Sequence, residues 1–297
     1  MRKFSGLFFI FLTHFCIAQD SLRIKIEQIA QSAKGIVGVA IMNIEIGDTL
    51  TLNGKAHLPM QSVFKFPIAM AILNKVDSGK LSLDKKIHLK KEDMIPKTWS
   101  PLRDSFPNGN VDVSINDLLN YMVVQSDNVA CDALIGVLGG PKNVEAYIHS
   151  LGVKGIAIVV TEAQMHSAWN IQYKNWCEPN EMMHLLNNFY AGKCLSKSST
   201  AHLIKMMEGT VTSTKRLKGL LPAGTIVARK SGTSETNKDK VTAATNDVGI
   251  ITLPNGKHII IAAFVSDAKA DDATRDLVIA KIAKAVYDCT LSNKSLK

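Results

Sequence analysis

Apolar residues recur along the chain with two different periods, and the changes of period divide it into three stretches. Near the start, Leu22, Ile26, Ile29, Ala30 and Ala33 share one helical stripe, with Asp20 or Ser21 as cap and Gly35 as stop. Residues 37–46 and 50–52 then read as strands joined by a turn at Gly47-Asp48. From Ser62 onward the period is helical. Ser62 opens an apolar segment that runs through Ile72 and Val76 to Gly79, with Pro67 only one turn in, where proline is tolerated. Ser114 caps residues 115–124. Residues 129–138 form a helix closed by Gly139-Gly140, and Pro141 starts another at its favoured first position. Pro179 starts a helix over 181–189 that stops at Gly192, and Ser198 or Ser199 caps one ending near Gly209. Strand patterns return at 225–230, 247–253 and 257–265, the last two joined by a Pro254-Asn255-Gly256 hairpin turn. Asp271 or Asp272 caps a final helix through Tyr287.

Sheet-forming segments at both ends with helices between them predict an α/β (α+β) fold. An antiparallel sheet is built from both chain ends and flanked by helices, with an inserted all-helical lobe. The helical lobe is placed at about 60–205 and the sheet lobe at about 20–59 plus 206–290, within one domain over residues 19–297. A cleft between the lobes is where a small-molecule site is expected.

The first residues have their own pattern. Arg2 and Lys3 precede an apolar run from Gly6 to Ile17, and small Ala18 precedes Gln19, which reads as a signal peptide over residues 1–18. A buried N-terminal helix is the plainer alternative. Cys16 as a lipidation site is disfavoured because Thr13-His14-Phe15 lacks a small residue, so a soluble, secreted periplasmic product without a membrane anchor is expected. Removing residues 1–18 lowers the net charge from +9 to +7. The lysines are dispersed and interleaved with acids, as in Lys90-Lys91-Glu92-Asp93, so the charge reads as a solvated surface and no nucleic-acid partner is expected. Cys131, Cys177, Cys194 and Cys289 remain after cleavage. None has metal-site spacing, so no metal is expected; export permits disulfides, but spacing assigns none, and Cys131 in an apolar helix reads as a buried thiol.

Three short motifs appear in order: Ser62-Val63-Phe64-Lys65, Ser126-Asp127-Asn128 and Lys230-Ser231-Gly232. The first alone means little, since a pattern fixing two common residues arises about once by chance in such a length. Ser82-Leu83-Asp84-Lys85 also fits it, but that copy follows Gly79 in a charged segment and reads as a solvated turn. A serine hydroxyl is a poor nucleophile without a base. On a helix, residues three apart share a face, so Lys65 can touch Ser62, and the helix start places free N–H groups and a positive dipole end beside the hydroxyl. Lys65 must then be buried among polar partners; its neighbours Val63, Phe64, Phe66 and Ile68 are apolar nearly all round. Ser126-Asp127-Asn128 lies between two helices, where simple capping also explains it. Lys230-Ser231-Gly232 ends a strand, and Gly232 lets a ligand come close to the strand edge.

With these motifs the sequence resembles the class A serine β-lactamases. Gln61, Lys-Thr-Trp-Ser-Pro at 97–101, Glu-Ala-Gln-Met-His at 162–166 and Arg-Leu-Lys-Gly-Leu-Leu-Pro-Ala-Gly at 216–224 resemble the PER-type extended-spectrum branch. The resemblance implies that Ser62 is the acylated nucleophile, Lys65 a candidate base for acylation, a role for which the family also offers Glu162, Ser126 a proton relay to the leaving nitrogen, and Glu162 the residue that activates the deacylating water. It further implies that Asn128 binds the substrate's side-chain amide. Lys230, Ser231, Thr233 and Arg216 recognise its carboxylate, the N–H groups of Ser62 and Thr233 form an oxyanion hole, and Trp99 lines the cleft mouth. His166 stands where the family usually has Asn beside the water, and Asp132 where Asn usually braces the Glu-bearing loop. That loop, residues 161–178, is long and polar, so its course is open. The expected partner is a small-molecule β-lactam, with no cofactor, acting on a monomer. The alternatives are a penicillin-binding D,D-peptidase and a β-lactam sensor that acylates and stops. An unrelated esterase would want a Gly-x-Ser-x-Gly elbow, which does not frame Ser62.

Overall fold

The computed structural model describes residues 22–292 and residue 296. The expected signal peptide, residues 1–18, and the expected cap at Asp20 or Ser21 lie outside the described residues.

Helix α1 (22–31) leads into a five-stranded sheet. Its strands are β1 (Ile36–Asn43), β2 (Thr49–Leu52), β8 (Val227–Thr233), β9 (Thr242–Thr252) and β10 (His258–Ala268), in the spatial order β2-β1-β10-β9-β8. All neighbours are antiparallel, and both chain ends contribute, as the returning two-residue period predicts. The alternation is plain on β10. Ile259, Ile261, Ala263 and Val265 face one core, with α1 and the C-terminal helix α10 (Asp272–Leu291). Ile260, Ala262 and Phe264 face the other, which continues into the helices of the middle stretch.

At the centre of the middle stretch is α2 (Lys65–Asp77), whose residues from Lys65 to Leu73 are all buried. That explains its apolar character all round. Around it pack α4 (Ile115–Val124), α5 (Asn128–Val137), α6 (Pro141–Ser150) and α9 (Lys197–Glu208), while α8 (Pro179–Tyr190) lies on the sheet. The expected caps hold at Ser114, which accepts from Asp117 N–H, and Pro141 is the first residue of α6.

Several boundaries differ from the sequence reading. The cap of α9 is Ser196 rather than Ser198 or Ser199, because Ser196 Oγ accepts from Ser199 N–H while the Asp77 carboxylate binds the Ser196 hydroxyl. The final helix is capped by Asp271 and runs past Tyr287 to Leu291. β9 begins at Thr242, not Asp247; residues 242–246 are buried throughout, so they carry no alternation. β8 runs to Thr233, so Lys230-Ser231-Gly232 occupies the end of the strand, one residue short of its last. Short elements that periodicity does not register are also present: the pair β4 (Lys86–Leu89) and β5 (Val111–Ser114), helix α3 (Pro101–Ser105), and a small sheet of β3 (Leu58–Pro59), β7 (Trp176–Cys177) and β6 (Ile156–Ala157). The second serine-lysine copy at 82–85 sits in an exposed turn, as expected.

Candidate active site

Ser62 lies in a 3-10 turn, Gln61–Phe64, directly before α2, and Lys65 is the first residue of that helix. Their spacing brings the two side chains together: Lys65 Nζ donates to Ser62 Oγ at 2.9 Å. The same ammonium donates to Ser126 O at 2.8 Å and Asn128 Oδ1 at 2.5 Å, and lies 2.7 Å from Glu162 Oε1. Lys65 is wholly buried and Glu162 is 2% exposed, so this cation has traded water for four oxygens, one of them anionic.

Ser126 joins α4 to α5 in a left-handed conformation, φ +61°, which costs a residue with a Cβ about 1 kcal/mol. In return its carbonyl faces Lys65 while its hydroxyl accepts from Lys230 Nζ at 2.8 Å. The capping explanation holds for Asp127 alone. It caps α5 through Ala130 N–H at 2.8 Å, and it also accepts from Leu102 N–H and Ser100 Oγ. Asp127 thus pins the 98–102 segment against α5, and Asn128 completes the join by donating to Thr98 Oγ1. Trp99 stands 61% exposed at the mouth, its indole N–H bonded to Gln125 O.

β8 forms the opposite wall and is the edge strand of the large sheet. Lys230 is fully buried; burial foremost, and then the neighbouring Lys65 charge, push its pKa well below the usual lysine range. A Cβ on Gly232 would fall 2.4 Å from Met60 O and 3.1 Å from Ser62 N, so only glycine lets the strand press this closely on the turn that carries Ser62. Ser234 N–H bonds to Ala244 O, and antiparallel alternation then turns the Thr233 N–H outward to the open edge. Arg216 stands behind β8. It is 5% exposed and does not line the cleft. Its guanidinium is occupied by Gly232 O, Asn246 O, Asp276 and Thr233 Oγ1, so it orients the Thr233 hydroxyl from behind.

Glu162 opens α7 (Glu162–Met165), so the polar stretch 161–178 is not irregular: α7, a 3-10 turn over Trp169–Lys174 and β7 fill it. Thr161 and Gln164 close a capping box. Asp132 Oδ1 accepts from Glu162 N–H at 2.7 Å and Oδ2 from Ala163 N–H at 2.9 Å. Burial is the main force on Asp132 and raises its pKa to about 6, against the lowering effect of those two bonds. His166 binds Glu162 O through Nδ1 at 2.8 Å. Two residues that sequence reasoning missed complete the support. Asn175, fully buried, accepts from Val159 and Val160 N–H and donates to Val160 O; Gln172 receives the Gln61 side chain at 2.7 Å. Nothing in their sequence context sets them apart from other polar loop residues.

Ser62, Ser126, Asn128, Glu162, Ser231 and Thr233 all line one cavity of about 530 Å³ between the lobes. Among the described residues no group of three or more His, Cys, Asp and Glu is placed to hold a metal, and no helix is long and apolar enough to cross a membrane. Cys131 and Cys177 are fully buried thiols, raised above the usual thiol range by that burial. The arrangement offers a hydroxyl, a cation bridging it to a carboxylate, a second hydroxyl beside a second lysine, and outward N–H groups at a strand edge. That set suits acyl transfer.

The sequence profile of the β-lactamase enzyme family matches residues 21–290. β-Lactamase VEB-1 of Pseudomonas aeruginosa is 44% identical over 92% of this chain and 91% of its own length. Extended-spectrum β-lactamase PER-1 of the same organism is 41% identical over 92% and 89%. Among solved structures, a β-lactamase from Chitinophaga pinensis superposes with a TM-score of 0.89 at 51% identity, over 91% of this chain and 99% of that one.

Proposed function

The chain belongs to the β-lactamase enzyme family, and to class A within it; from that premise we propose that it opens penicillins and cephalosporins through an ester on Ser62, which water activated by Glu162 hydrolyses. The observation that carries this reading is Lys65 Nζ held between Ser62 Oγ and Glu162 Oε1, at 2.9 and 2.7 Å, beside a single cavity that both oxygens' residues line.

Acylation requires the Ser62 proton to leave as Oγ attacks the lactam carbonyl. Lys65 is the nearest acceptor, once it has passed a proton of its own to Glu162 across their contact. The alkoxide that forms on the carbonyl carbon faces the N–H groups of Ser62 and Thr233. As the carbon–nitrogen bond breaks, Ser126 gives its proton to the ring nitrogen, and the buried Lys230 donating to Ser126 Oγ favours the oxyanion left on that residue. Asn128 presents a side-chain N–H to the substrate's amide. The hydroxyls of Ser231 and Thr233 receive the substrate carboxylate, with the charges of Lys230 and Arg216 behind them. Before the second half the proton from Ser62, held on Lys65, passes to the Ser126 oxyanion, and Glu162 returns its proton to Lys65. Glu162, again a carboxylate, then takes a proton from water as the water oxygen attacks the ester carbon, and that proton goes to Ser62 Oγ as the carbon–oxygen bond breaks, restoring the serine.

Purified protein is expected to hydrolyse a chromogenic cephalosporin over many turnovers per Ser62. A D,D-peptidase or a β-lactam sensor of this fold would stall after one. Glu162→Gln should acylate and stop, leaving an adduct visible by mass spectrometry; undiminished turnover in that variant removes Glu162 from the mechanism. Lys65→Ala should slow acylation by about 10²–10⁴-fold, the scale of a positioned proton acceptor. Relatives named for extended-spectrum activity support oxyimino cephalosporins as substrates, and a negligible rate on one, beside a high rate on ampicillin, would end that part of the reading. The N-terminal pattern supports export to the periplasm, which N-terminal sequencing of protein recovered from that compartment checks; size-exclusion chromatography of the mature protein tests the expected monomer.

A further inference from the structure

Between α9 and β8, residues 210–226 form neither helix nor strand, yet they supply Thr212 to the cavity wall and Arg216 to the back of Thr233. Side chains place this segment. Arg229, Ser231 and Thr233 alternate along β8 and so share one of its faces, and each meets the segment. Arg229 donates to Thr212 O, Ser231 Oγ lies 3.2 Å from Thr212 Oγ1, and Thr233 Oγ1 accepts from Arg216 at 2.8 Å. Asp247, opposite Ser231 on β9, takes the other end of the turn by accepting from Leu217 N–H at 3.2 Å. Arg229 and Asp247 are themselves joined at 3.1 Å and are 1% and 0% exposed. A buried ion pair adds little net stability over an apolar pair of like volume. What this pair does that an apolar one cannot is reach two backbone groups of the segment at once. One guanidinium nitrogen takes the Thr212 carbonyl, and a carboxylate oxygen takes the Leu217 amide.

Resting on the assignment of Ser231 and Thr233 to the substrate carboxylate, we propose that Arg229 and Asp247 are positioning residues for recognition of that anion: they clamp the 212–217 turn at both ends, so that Thr212 and Arg216 hold the two cleft hydroxyls with their hydrogens directed at the carboxylate. The donor rules fix the direction. A guanidinium can only donate, so Thr233 Oγ1 meets Arg216 as an acceptor and keeps its own hydrogen for the cleft. Thr212 donates to Ser231 Oγ and leaves the Ser231 hydrogen free in the same way. Both hydroxyls then face the cavity as donors, which suits an anion and wastes no rotamer search on binding. Arg229 and Asp247 are neutral as a unit, so the pair acts through placement and not through attraction of charge. Thr210 adds a further tie by donating its hydroxyl to Arg229 O at 3.0 Å, which fixes the start of the segment to the same strand.

The test compares kcat/KM on benzylpenicillin with kcat/KM on its methyl ester, which lacks the anion. Arg229→Met combined with Asp247→Leu removes the clamp without stranding a buried charge. Its kcat/KM on benzylpenicillin should fall about thirtyfold, with kcat within about threefold and the value on the ester little changed. Thr212→Val, at a half-buried position, also strands no charge and should lose about fivefold in the same pattern. It decides the matter if the double variant does not fold. Equal losses on acid and ester, the result of a merely structural role, overturn the proposal, and so does the absence of any loss on the acid. Ser231→Ala with Thr233→Val tests the parent assignment separately. An acid-to-ester ratio equal to wild type in that variant would remove the two hydroxyls from carboxylate binding, a result independent of Arg229 and Asp247.

Discussion

β8 and α7 face each other across the cleft, yet they are held in place by opposite means. β8 is a seven-residue strand, in register with β9 from Val227 opposite Ile251 to Thr233 opposite Thr245, so its position is shared among many backbone hydrogen bonds. α7 has four residues, and side chains hold it: Asp132 at its N-terminus, Thr161 and Gln164 as a capping box, His166 at its end, and Asn175 on the segment before it. A ladder spreads the cost of any one change, whereas a side-chain brace concentrates it. The wall proposed to carry recognition and the oxyanion N–H is therefore the rigid one. The wall that carries Glu162 depends on single residues.

That contrast can be broken at several points. Asn175→Ala is expected to have the largest effect. It leaves two buried backbone groups at Val160 and a half-buried one at Val159 without partners, which should cost about 3 kcal/mol or more in urea unfolding and slow deacylation. Stability within about 0.5 kcal/mol of wild type would show that the brace is not needed. On the β8 side the sensitive point is the approach to Ser62, not the ladder. Gly232→Ala brings a Cβ to 2.4 Å from Met60 O, so the nucleophile's turn or the strand must shift, and acylation should fall about a hundredfold. Unchanged acylation would mean that the two walls move independently.

A smaller effect separates stability from activity at Asp132. Its carboxyl titrates at about 6, above its unfolded value near 3.9, so the folded state holds the proton more tightly. This contribution favours folding below about pH 4 and is lost as pH rises through about 6. Asp132→Asn has no such loss. Its stability relative to wild type should increase by about 1–2 kcal/mol between about pH 4 and about pH 7, even as its deacylation slows. Parallel stability curves for the two proteins would contradict the raised carboxyl. The smallest effect is expected at Ile250→Val in β9. Removing one methylene from a residue 3% exposed should cost about 1 kcal/mol and leave both half-reactions within about twofold, because the ladder is untouched. A large loss of acylation there would mean that β8 is less firmly held than its ladder suggests.

What the sequence could reveal follows the same division. The sheet from both chain ends, the caps at Ser114 and Asp271 and the Ser62–Lys65 contact are all local: each rests on a period or on a spacing of a few residues. The start of β9 at Thr242 escaped the sequence because residues 242–246 are buried on both sides and show no alternation. The polar stretch after Thr161 read as irregular because α7 and β7 are too short to establish a period.

The sequence by itself determined the order of elements, the proposed nucleophile Ser62, and the lysine one helical turn from it. Tertiary structure alone decided that this lysine also meets Ser126, 61 residues away, and Glu162, that Arg216 turns to the back of Thr233, and that Asp132 and Asn175 hold α7. Spacing along a helix fixes which side chains share a face, but contacts between distant segments depend on how whole lobes pack. A buried polar group then takes whichever partners that packing leaves within reach.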